Sequence, residues 1–381
     1  MSTHIYWFRH AHEHRNNLLR FGLMRLKKAG KIDYTERPLK DCISFGFSPG
    51  IIDHPYLWHK SFILVQSPRK TIRCIVGNED SFVFVSDLIK EVDMYFCAGY
   101  NSDLFERKKF VKAYCWQDET DLKWYRENLR RKINDLGSEF YKVKKFIPIA
   151  PNLTSPVVQQ KYLKQKITNL EHKVRGLIGA GSNYQQDFLA FEKRYSELLS
   201  FRDSKLRYDI ILNDSLWGWP QHRTNLHLKL KELANKGREI HSILKWSDPV
   251  IYDGSIERTS DKNIFPLISK ELTSPYEAMI SQSRMAVFAC GFHWGWRSIM
   301  MFSLMAGVPV VTDRLLTEPY FDMNEFKMWQ IEDHKWNNLE EYLFNIDESS
   351  WGKLKTHNQQ VYDKYLSPEA VGNYFVNTVL Q

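Results

Sequence analysis

Apolar residues in the first half of the chain recur in short runs that Pro and Gly residues separate. Such runs are typical of buried strands. Strands are predicted at 4–8, 61–66, 71–76, 92–97 and 145–150. Helical spacing predicts helices over 18–26, which Gly30 ends, and over 121–136. Because strands and helices alternate, this half is predicted to form an α/β layer.

The second half of the chain alternates strands and helices more regularly. Strands are predicted at 209–212, 238–244, 285–290 and 308–312, and helices at 224–236, 275–283 and 298–306. Repeated strand–helix–strand units indicate a parallel, doubly wound sheet. This half is therefore predicted to be a Rossmann-like domain.

Between the halves, apolar residues spaced by three and four positions predict two amphipathic helices. The polar face of the first helix, within 155–178, is basic, which suits either a solvated surface or attraction to anionic lipid headgroups. The predicted organisation is an N-terminal α/β domain over 1–154, a helical hairpin or linker over 155–205, a second α/β domain over 206–365 and a C-terminal helix over 366–381.

The composition is that of an ordinary globular chain of 381 residues, which is long enough for two domains. The aromatic fraction of 14% exceeds what core filling usually requires and favours a ligand whose ring can stack on aromatic side chains, such as a sugar or a base. The net charge of +8 is mild, and no recognisable nucleic-acid module is present, so no nucleic-acid partner is expected.

The five Cys residues are scattered and form no CxxC pair, which argues against a disulfide framework or a zinc site. The nearly apolar stretch 300–311 is shorter than the roughly 20 residues that span a bilayer, and the N-terminal residues lack a secretory signal. We expect a cytoplasmic protein, with peripheral attachment to the inner face of the membrane through the basic 155–178 helix as an alternative.

The stretch 283–313 contains the strongest candidates for ligand binding. A predicted strand runs to Gly291, a loop of Gly and aromatic residues follows, and Arg297 and Ser298 open a helix that Gly307 ends. Ligands of open α/β sheets bind beyond the carboxyl ends of the strands, where N–H groups of a helix N-terminus suit a diphosphate. Asp313, at the tip of the next strand, is a candidate for a sugar or ribose hydroxyl.

The aromatic residues of the same loop have two interpretations. Trp294 and Trp296 are candidates to stack on a base or a sugar, and packing beneath the loop is the alternative.

This order of helix, Gly and a Pro-Val-Val strand ending in Asp resembles the donor-binding half of GT-B glycosyltransferases, in particular exostosin-type and bacterial surface-polysaccharide members. The matching residues are Gly291, Arg297, Gly307, Pro309, Val310 and Asp313. The resemblance covers about 208–381. It implies two facing Rossmann-like domains with parallel sheets, a nucleotide-sugar site in the second domain and a last helix that crosses back to the first.

The resemblance also suggests roles for residues before this stretch. Ser215 would lie near the donor, while Arg223 and Lys245 would reach its phosphates. The glutamate that holds the donor ribose in such enzymes corresponds to Phe302, which is a departure from the family pattern.

An inverting enzyme of this kind needs a base, which commonly lies in a loop after an early strand. The loop 9–15 offers Glu13 and His12, both of which can be tuned to a neutral pKa. The HxHxH spacing of the loop is also compatible with a metal or with an ordinary surface loop. Glu79 and Asp80 are a second pair of candidates.

The chain contains no DxD motif, which a metal-dependent transferase would use, and no dinucleotide, P-loop or hydrolase signature. Together with the resemblance, these absences imply a metal-independent glycosyltransferase of surface-polysaccharide or glycan synthesis. It would bind no cofactor, use a nucleotide-diphosphate sugar as co-substrate, and act on a glycan or lipid-linked glycan. The alternative is a catalytically silent binding protein with the same fold.

Overall fold

The computed structural model describes residues 3–10, 13–54, 57, 59–78, 85–109, 119–151, 153, 184–216, 220–246, 262–290, 295–333 and 335–381. The chain divides into two compact units. Unit 1 comprises Met1–Tyr100, Leu136–Glu197 and Lys364–Gln381, and unit 2 comprises Asn101–Asp135 and Leu198–Asp363.

The strands and helices of the described residues are numbered in chain order. The strands are β1 (His4–Arg9), β2 (Asp33–Pro38), β3 (Lys60–Gln66), β4 (Thr71–Gly77), β5 (Met94–Cys97), β6 (Val143–Lys145), β7 (Tyr208–Leu216), β8 (Ile240–Trp246), β9 (Leu267–Ile268), β10 (Ser283–Phe288), β11 (Val310–Asp313) and β12 (Met328–Ile331). The α-helices are α1 (Asn17–Lys28), α2 (Ser102–Phe105), α3 (Glu119–Leu136), α4 (Tyr184–Ser200), α5 (Pro220–Asn235), α6 (Tyr276–Ile280), α7 (Ser298–Ala306), α8 (Leu339–Phe344), α9 (Glu348–Tyr365) and α10 (Pro368–Leu380).

The sheet of unit 1 has the strand order β2-β1-β3-β4-β5-β6. Strand β3 runs antiparallel to both of its neighbours, and all other neighbouring pairs are parallel. Residues 60–65 of β3 are all buried, as its nearly continuous apolar sequence requires for a central strand. Unit 1 thus has a mixed sheet, where the resemblance implied a parallel one.

The sheet of unit 2 has the strand order β12-β11-β10-β7-β8-β9. Its strands are parallel except for the short edge strand β9, which pairs antiparallel with β8. The chain winds outward from β7 to β8 on one side and returns to β10 on the other. This is a doubly wound sheet with its switch point between β7 and β10. The predicted α/β class with two Rossmann-like units is confirmed.

The C-terminal helix α10 belongs to unit 1, where it packs closely on α1. A Cβ atom added to Gly22 would lie 2.0 Å from the carbonyl oxygen of Pro368, and one added to Gly372 would lie 3.1 Å from the carbonyl carbon of Gly22. Around this contact Arg25 pairs with Glu369 at 2.7 Å. Glycine on both helices is what allows the two backbones to approach so closely.

Several elements differ from the sequence prediction. Strand β2 was not predicted, because Tyr34 is its only buried residue and it carries no alternating apolar pattern. Strands β9 and β12 are also additional, and both are short. The predicted first helix of the hairpin lies outside the described residues, whereas the second is present as α4.

The segment Asn101–Asp135, which the sequence assigned to the N-terminal domain, groups with unit 2. Asn101 donates a hydrogen bond to the carbonyl oxygen of Leu316 at 2.7 Å. The backbone N–H and the hydroxyl of Ser102 both donate to Glu318, at 2.9 and 2.7 Å. These bonds tie the start of the segment to the loop that follows β11.

No α-helix among the described residues has both the length and the apolar character that crossing a membrane requires.

We expect Gly22→Ala to lower the free energy of unfolding by about 3 kcal/mol, because its methyl group would overlap the backbone of α10. Urea denaturation measures the change. The matched control is Gly352→Ala, since Gly352 lies within α9 with open space around it. That control should stabilise the protein by about 0.5–1 kcal/mol through helix propensity. Equal effects of the two substitutions would contradict the close packing of α1 and α10.

Candidate functional site

The candidate site lies at the switch point of the unit 2 sheet, beyond the carboxyl ends of β7 and β10. Asp214 is close to the end of β7, Cys290 follows β10, and Arg297 directly precedes α7. In doubly wound sheets this edge is where two neighbouring connections diverge and leave a crevice. The charged side chains that meet at this edge are therefore the candidates for ligand binding.

Asp214 and Arg297 form a bidentate ion pair at this edge. Arg297 donates from Nη1 to Oδ2 of Asp214 at 2.9 Å and from Nη2 to Oδ1 at 2.7 Å. The Asp214 side chain is 1% exposed and that of Arg297 is 18% exposed. Burial by itself raises the pKa of Asp214, but Arg223 and Arg297 outweigh burial and hold that pKa well below its ordinary value. Asp214 is therefore ionised at neutral pH.

Arg223, on α5, is turned into the protein. It donates to the carbonyl oxygen of Ser215 at 2.8 Å, to that of Cys290 at 3.0 Å and to Oδ1 of Asp214 at 3.3 Å. Its side chain is 2% exposed. Arg223 was expected to contact a phosphate. In this position it instead links the end of β7 to the residues after β10 through hydrogen bonds.

Asp313 also has an interior position. Its Oδ1 accepts from the backbone N–H of Cys290 at 2.6 Å and from the hydroxyl of Thr312 at 3.3 Å. Burial raises the pKa of Asp313 to about 6. The predicted contact with a sugar hydroxyl is not favoured by this geometry, because the carboxylate holds the backbone after β10.

Arg297 is the member of the cluster that can contact a ligand, because its side chain is 18% exposed whereas those of Asp214 and Arg223 are buried. Asp214 uses two of its five N–H donors, and none of the others donates to another described residue. Asp214, Arg223 and Arg297 together carry a net charge of +1, but buried Asp313 interacts with Arg223 and balances that charge above about pH 6, so the positive charge at this edge is that of Arg297. Since Arg297 precedes the first turn of α7, the partial positive charge of the helix N-terminus adds to it. The arrangement suits an anion.

Other predicted donor-site residues surround this edge at the surface. Ser298 is exposed in the first turn of α7. Ser215 and Lys245 are both exposed and are register partners on β7 and β8. Lys245 can therefore add positive charge at the carboxyl end of the sheet.

The aromatic and glycine predictions have different outcomes. Trp296 is 2% exposed, so the packing interpretation applies to it rather than stacking on a ligand. Phe302 packs edge-on against Phe201 at 5.7 Å in the core of unit 2. Gly291 and Trp294 lie outside the described residues.

Sequence reasoning missed two members of the cluster, Asp214 and His227. His227 on α5 is 1% exposed, and burial lowers its pKa to about 4, so it is neutral at physiological pH. The available signal for Asp214 was a carboxylate at the end of an otherwise buried apolar strand, because a buried charge requires a partner.

Unit 1 contains a second buried ion cluster, which includes the predicted base Glu13. Oε2 of Glu13 accepts from the indole N–H of Trp7 at 2.7 Å, and Oε1 is paired with Arg9. Burial raises the pKa of Glu13 to about 7, against the opposing effect of Arg9. With both oxygens engaged and 3% of the residue exposed, Glu13 is placed as an interior partner of Arg9 rather than as a base presented to an acceptor.

Glu36 on β2 is the centre of the same cluster. Its carboxylate accepts from Nε and Nη2 of Arg20, both at 2.7 Å, from the hydroxyl of Tyr34 at 2.8 Å and from Arg9 at 3.1 Å. Asp187 of α4 also pairs with Arg20, at 2.6 Å. The cluster thus joins β1, β2, α1 and α4.

The remaining base candidates, His12, Glu79 and Asp80, lie outside the described residues. Among the described ranges there is no group of three or more His, Cys, Asp or Glu side chains that could hold a metal ion.

Comparison with known proteins gives neither a family nor a curated relative. No family model matches the chain, and no curated protein matches it.

Solved structures give weak likenesses. The Streptomyces sp. SF2575 glycosyltransferase SsfS6, in complex with thymidine diphosphate, is 12% identical with a TM-score of 0.22, over 47% of this chain and 44% of that one. The calicheamicin glycosyltransferase CalG4 is 10% identical with a TM-score of 0.34, over 99% and 98% of the chains. A protein assigned as a UDP-N-acetylglucosamine 2-epimerase from Listeria monocytogenes is 12% identical with a TM-score of 0.32, over 96% and 92%. TM-scores this low establish no function that this chain shares with these proteins.

We expect Glu36→Gln to lower the free energy of unfolding by about 3–5 kcal/mol, because it leaves buried Arg20 without its principal carboxylate. Chemical denaturation measures this. The matched control is Glu369→Gln, which breaks the half-exposed pair with Arg25 and should cost less than about 1 kcal/mol. A loss at Glu36 no larger than at Glu369 would show that the buried cluster does not stabilise unit 1.

Asp313 should make stability depend on pH in a defined direction. Its pKa is raised to about 6, so the native state holds a proton that the unfolded chain releases between about pH 4 and pH 6. Stability from this group is therefore present at low pH and lost as pH rises, by about 3 kcal/mol over the window. Asp313→Asn should remove that component in denaturation experiments at several pH values. An unchanged pH profile in the variant would contradict the assignment.

Proposed function

We propose that the chain is a glycosyltransferase that moves a sugar from a nucleotide-diphosphate donor to a glycan or lipid-linked glycan acceptor. One observation carries the proposal: at the switch point of the unit 2 sheet, Arg297 is held by one edge of its guanidinium and has donors left over before the first turn of α7. A diphosphate is the ligand whose charge and shape suit such a site.

The proposed chemistry follows from where charge develops. When the bond between sugar and diphosphate breaks, the leaving diphosphate gains negative charge, which Arg297 and the first turn of α7 would stabilise. Ser298 and Lys245 are the other exposed groups proposed to contact the donor. This mechanism uses fixed protein charges and needs no metal ion. We assign no base, since both oxygens of Glu13 are engaged.

A second candidate is a protein that binds nucleotide or glycan without catalysis. Two observations favour it: Phe302 fills the core where the family pattern has a ribose-binding glutamate, and Arg223 is used internally. Turnover separates the two candidates. Release of free sugar or transfer to an acceptor supports the enzyme, whereas binding without either product supports the second candidate.

The test of donor binding is a thermal-shift series with UDP, GDP and CMP and their sugar conjugates. A ligand present at about 100 times its Kd should stabilise the native protein by about 2.7 kcal/mol. We expect one nucleoside diphosphate to raise Tm, and Arg297→Ala to abolish that rise because the anion loses its principal contact.

Arg284→Ala is the matched control for this series. Arg284 lies on β10, is partly buried and pairs with Asp209 at 2.9 Å, far along the strand from the site. This variant should be less stable than the wild type and still respond to the nucleotide. If no nucleotide shifts the Tm of the wild type, the proposed function is wrong.

A further inference from the structure

The position of Arg297 depends on a residue that offers nothing to a ligand. Oδ1 of Asp214 accepts from Arg297 at 2.7 Å, from the backbone N–H of Ser215 at 2.7 Å and from Arg223 at 3.3 Å. Oδ2 accepts from Arg297 at 2.9 Å. The carboxylate is 1% exposed, and both of its oxygens accept hydrogen bonds from the protein. Asp214 can therefore influence a ligand only through the arginines that it holds.

Asp214 is itself rigidly placed. It lies on β7, in the interior of the unit 2 sheet, where it is the register partner of Leu244 on β8. The bond from Ser215 N–H sets the rotation of the carboxylate, and Arg223 braces it from α5. Because Asp214 is fixed by β7, it can hold the side chain of Arg297, which lies in the loop before α7.

The geometry of the pair selects one edge of the guanidinium. Asp214 engages both terminal nitrogens, Nη1 and Nη2, of Arg297. A planar guanidinium has a second donor edge, formed by Nε–H and a terminal N–H, which this grip leaves unused. An unrestrained arginine would lose side-chain entropy on binding an anion, and one already held loses less.

We propose that Asp214 is a positioning residue for anion binding: it holds Arg297 by one edge so that the other edge meets the diphosphate of a nucleotide donor. This inference rests on the proposed function and adds the residue that organises its site. Asp214 contacts no ligand, and Arg223 serves to brace it.

Asp214→Asn tests the inference, with affinities measured by calorimetry for UDP and GDP and for uridine and guanosine. The amide keeps the shape but loses the charge and one acceptor, so Arg297 is no longer gripped by two bonds. We expect diphosphate affinity to fall about tenfold or more, which corresponds to one charge-assisted contact. Affinity for the nucleoside should not change, because uridine and guanosine have no phosphate group for Arg297 to contact. A general loss of structure would instead weaken both ligands together.

Asp209→Asn is the matched control. Asp209 lies near the other end of the same strand and pairs with Arg284 at 2.9 Å. This variant breaks a partly buried carboxylate–arginine pair between β7 and β10 and leaves the site residues unchanged. Its ratio of diphosphate to nucleoside affinity should equal that of the wild type.

Arg297→Lys provides a second measurement that leaves Asp214 in place. Lysine keeps the charge but lacks the two donor edges, so affinity for the diphosphate should again fall about tenfold. If Asp214→Asn does not fold, the test rests on Arg297→Lys. A diphosphate affinity of Arg297→Lys equal to that of the wild type overturns the inference.

The remaining outcomes separate the inference from the function on which it rests. A wild-type protein that binds a diphosphate, together with an Asp214→Asn variant that binds it equally well, overturns the positioning role and leaves the function standing. A wild-type protein that binds no diphosphate overturns both.

Discussion

A buried carboxylate must be compensated where it lies, and Asp214 sets this requirement for the candidate site. Removing its charge from water costs several kcal/mol unless cations and hydrogen-bond donors surround it. Arg223, Arg297 and the backbone N–H of Ser215 supply them. Because one arginine comes from α5 and the other precedes α7, the same charge also fixes where those two elements begin relative to β7. The contacts that compensate buried Asp214 are thus the same contacts that hold Arg297 at the candidate anion site.

In both units arginine side chains compensate buried carboxylates, but the balance of positive and negative charge differs between the two clusters. In unit 2, Arg223 and Arg297 share Asp214, buried Asp313 also interacts with Arg223, and Arg297 is the arginine whose charge reaches the edge of the sheet. In unit 1, Arg9 and Arg20 are shared among Glu13, Glu36 and Asp187. That cluster has no surplus positive charge and its carboxylates are engaged. It therefore stabilises unit 1, and it offers nothing that attracts an anion.

The sequence predicted the unit 2 sheet well because its strands are continuous apolar runs separated by glycine and charge. It failed at β2, where only Tyr34 is buried and pairing along the sheet, not apolar pattern, makes the strand. For the site, the position of Arg297 after β10 was predictable from the loop and helix start. Its pairing with Asp214 was not, because the two residues are 83 positions apart and meet only through the strand order.

The same limit explains why the sequence did not reveal that Arg223 and Asp313 make internal contacts. A motif shows that a charged residue lies near the end of a strand. Whether its side chain points inward depends on which neighbouring backbone groups need a hydrogen-bond partner. The carbonyl oxygens of Ser215 and Cys290 accept from Arg223, and the N–H of Cys290 donates to Asp313. Once these backbone groups have partners, Arg297 is the arginine of the cluster whose side chain stays partly exposed. The chemistry of the site therefore depends on the donors that remain after folding, which spacing along the chain does not reveal.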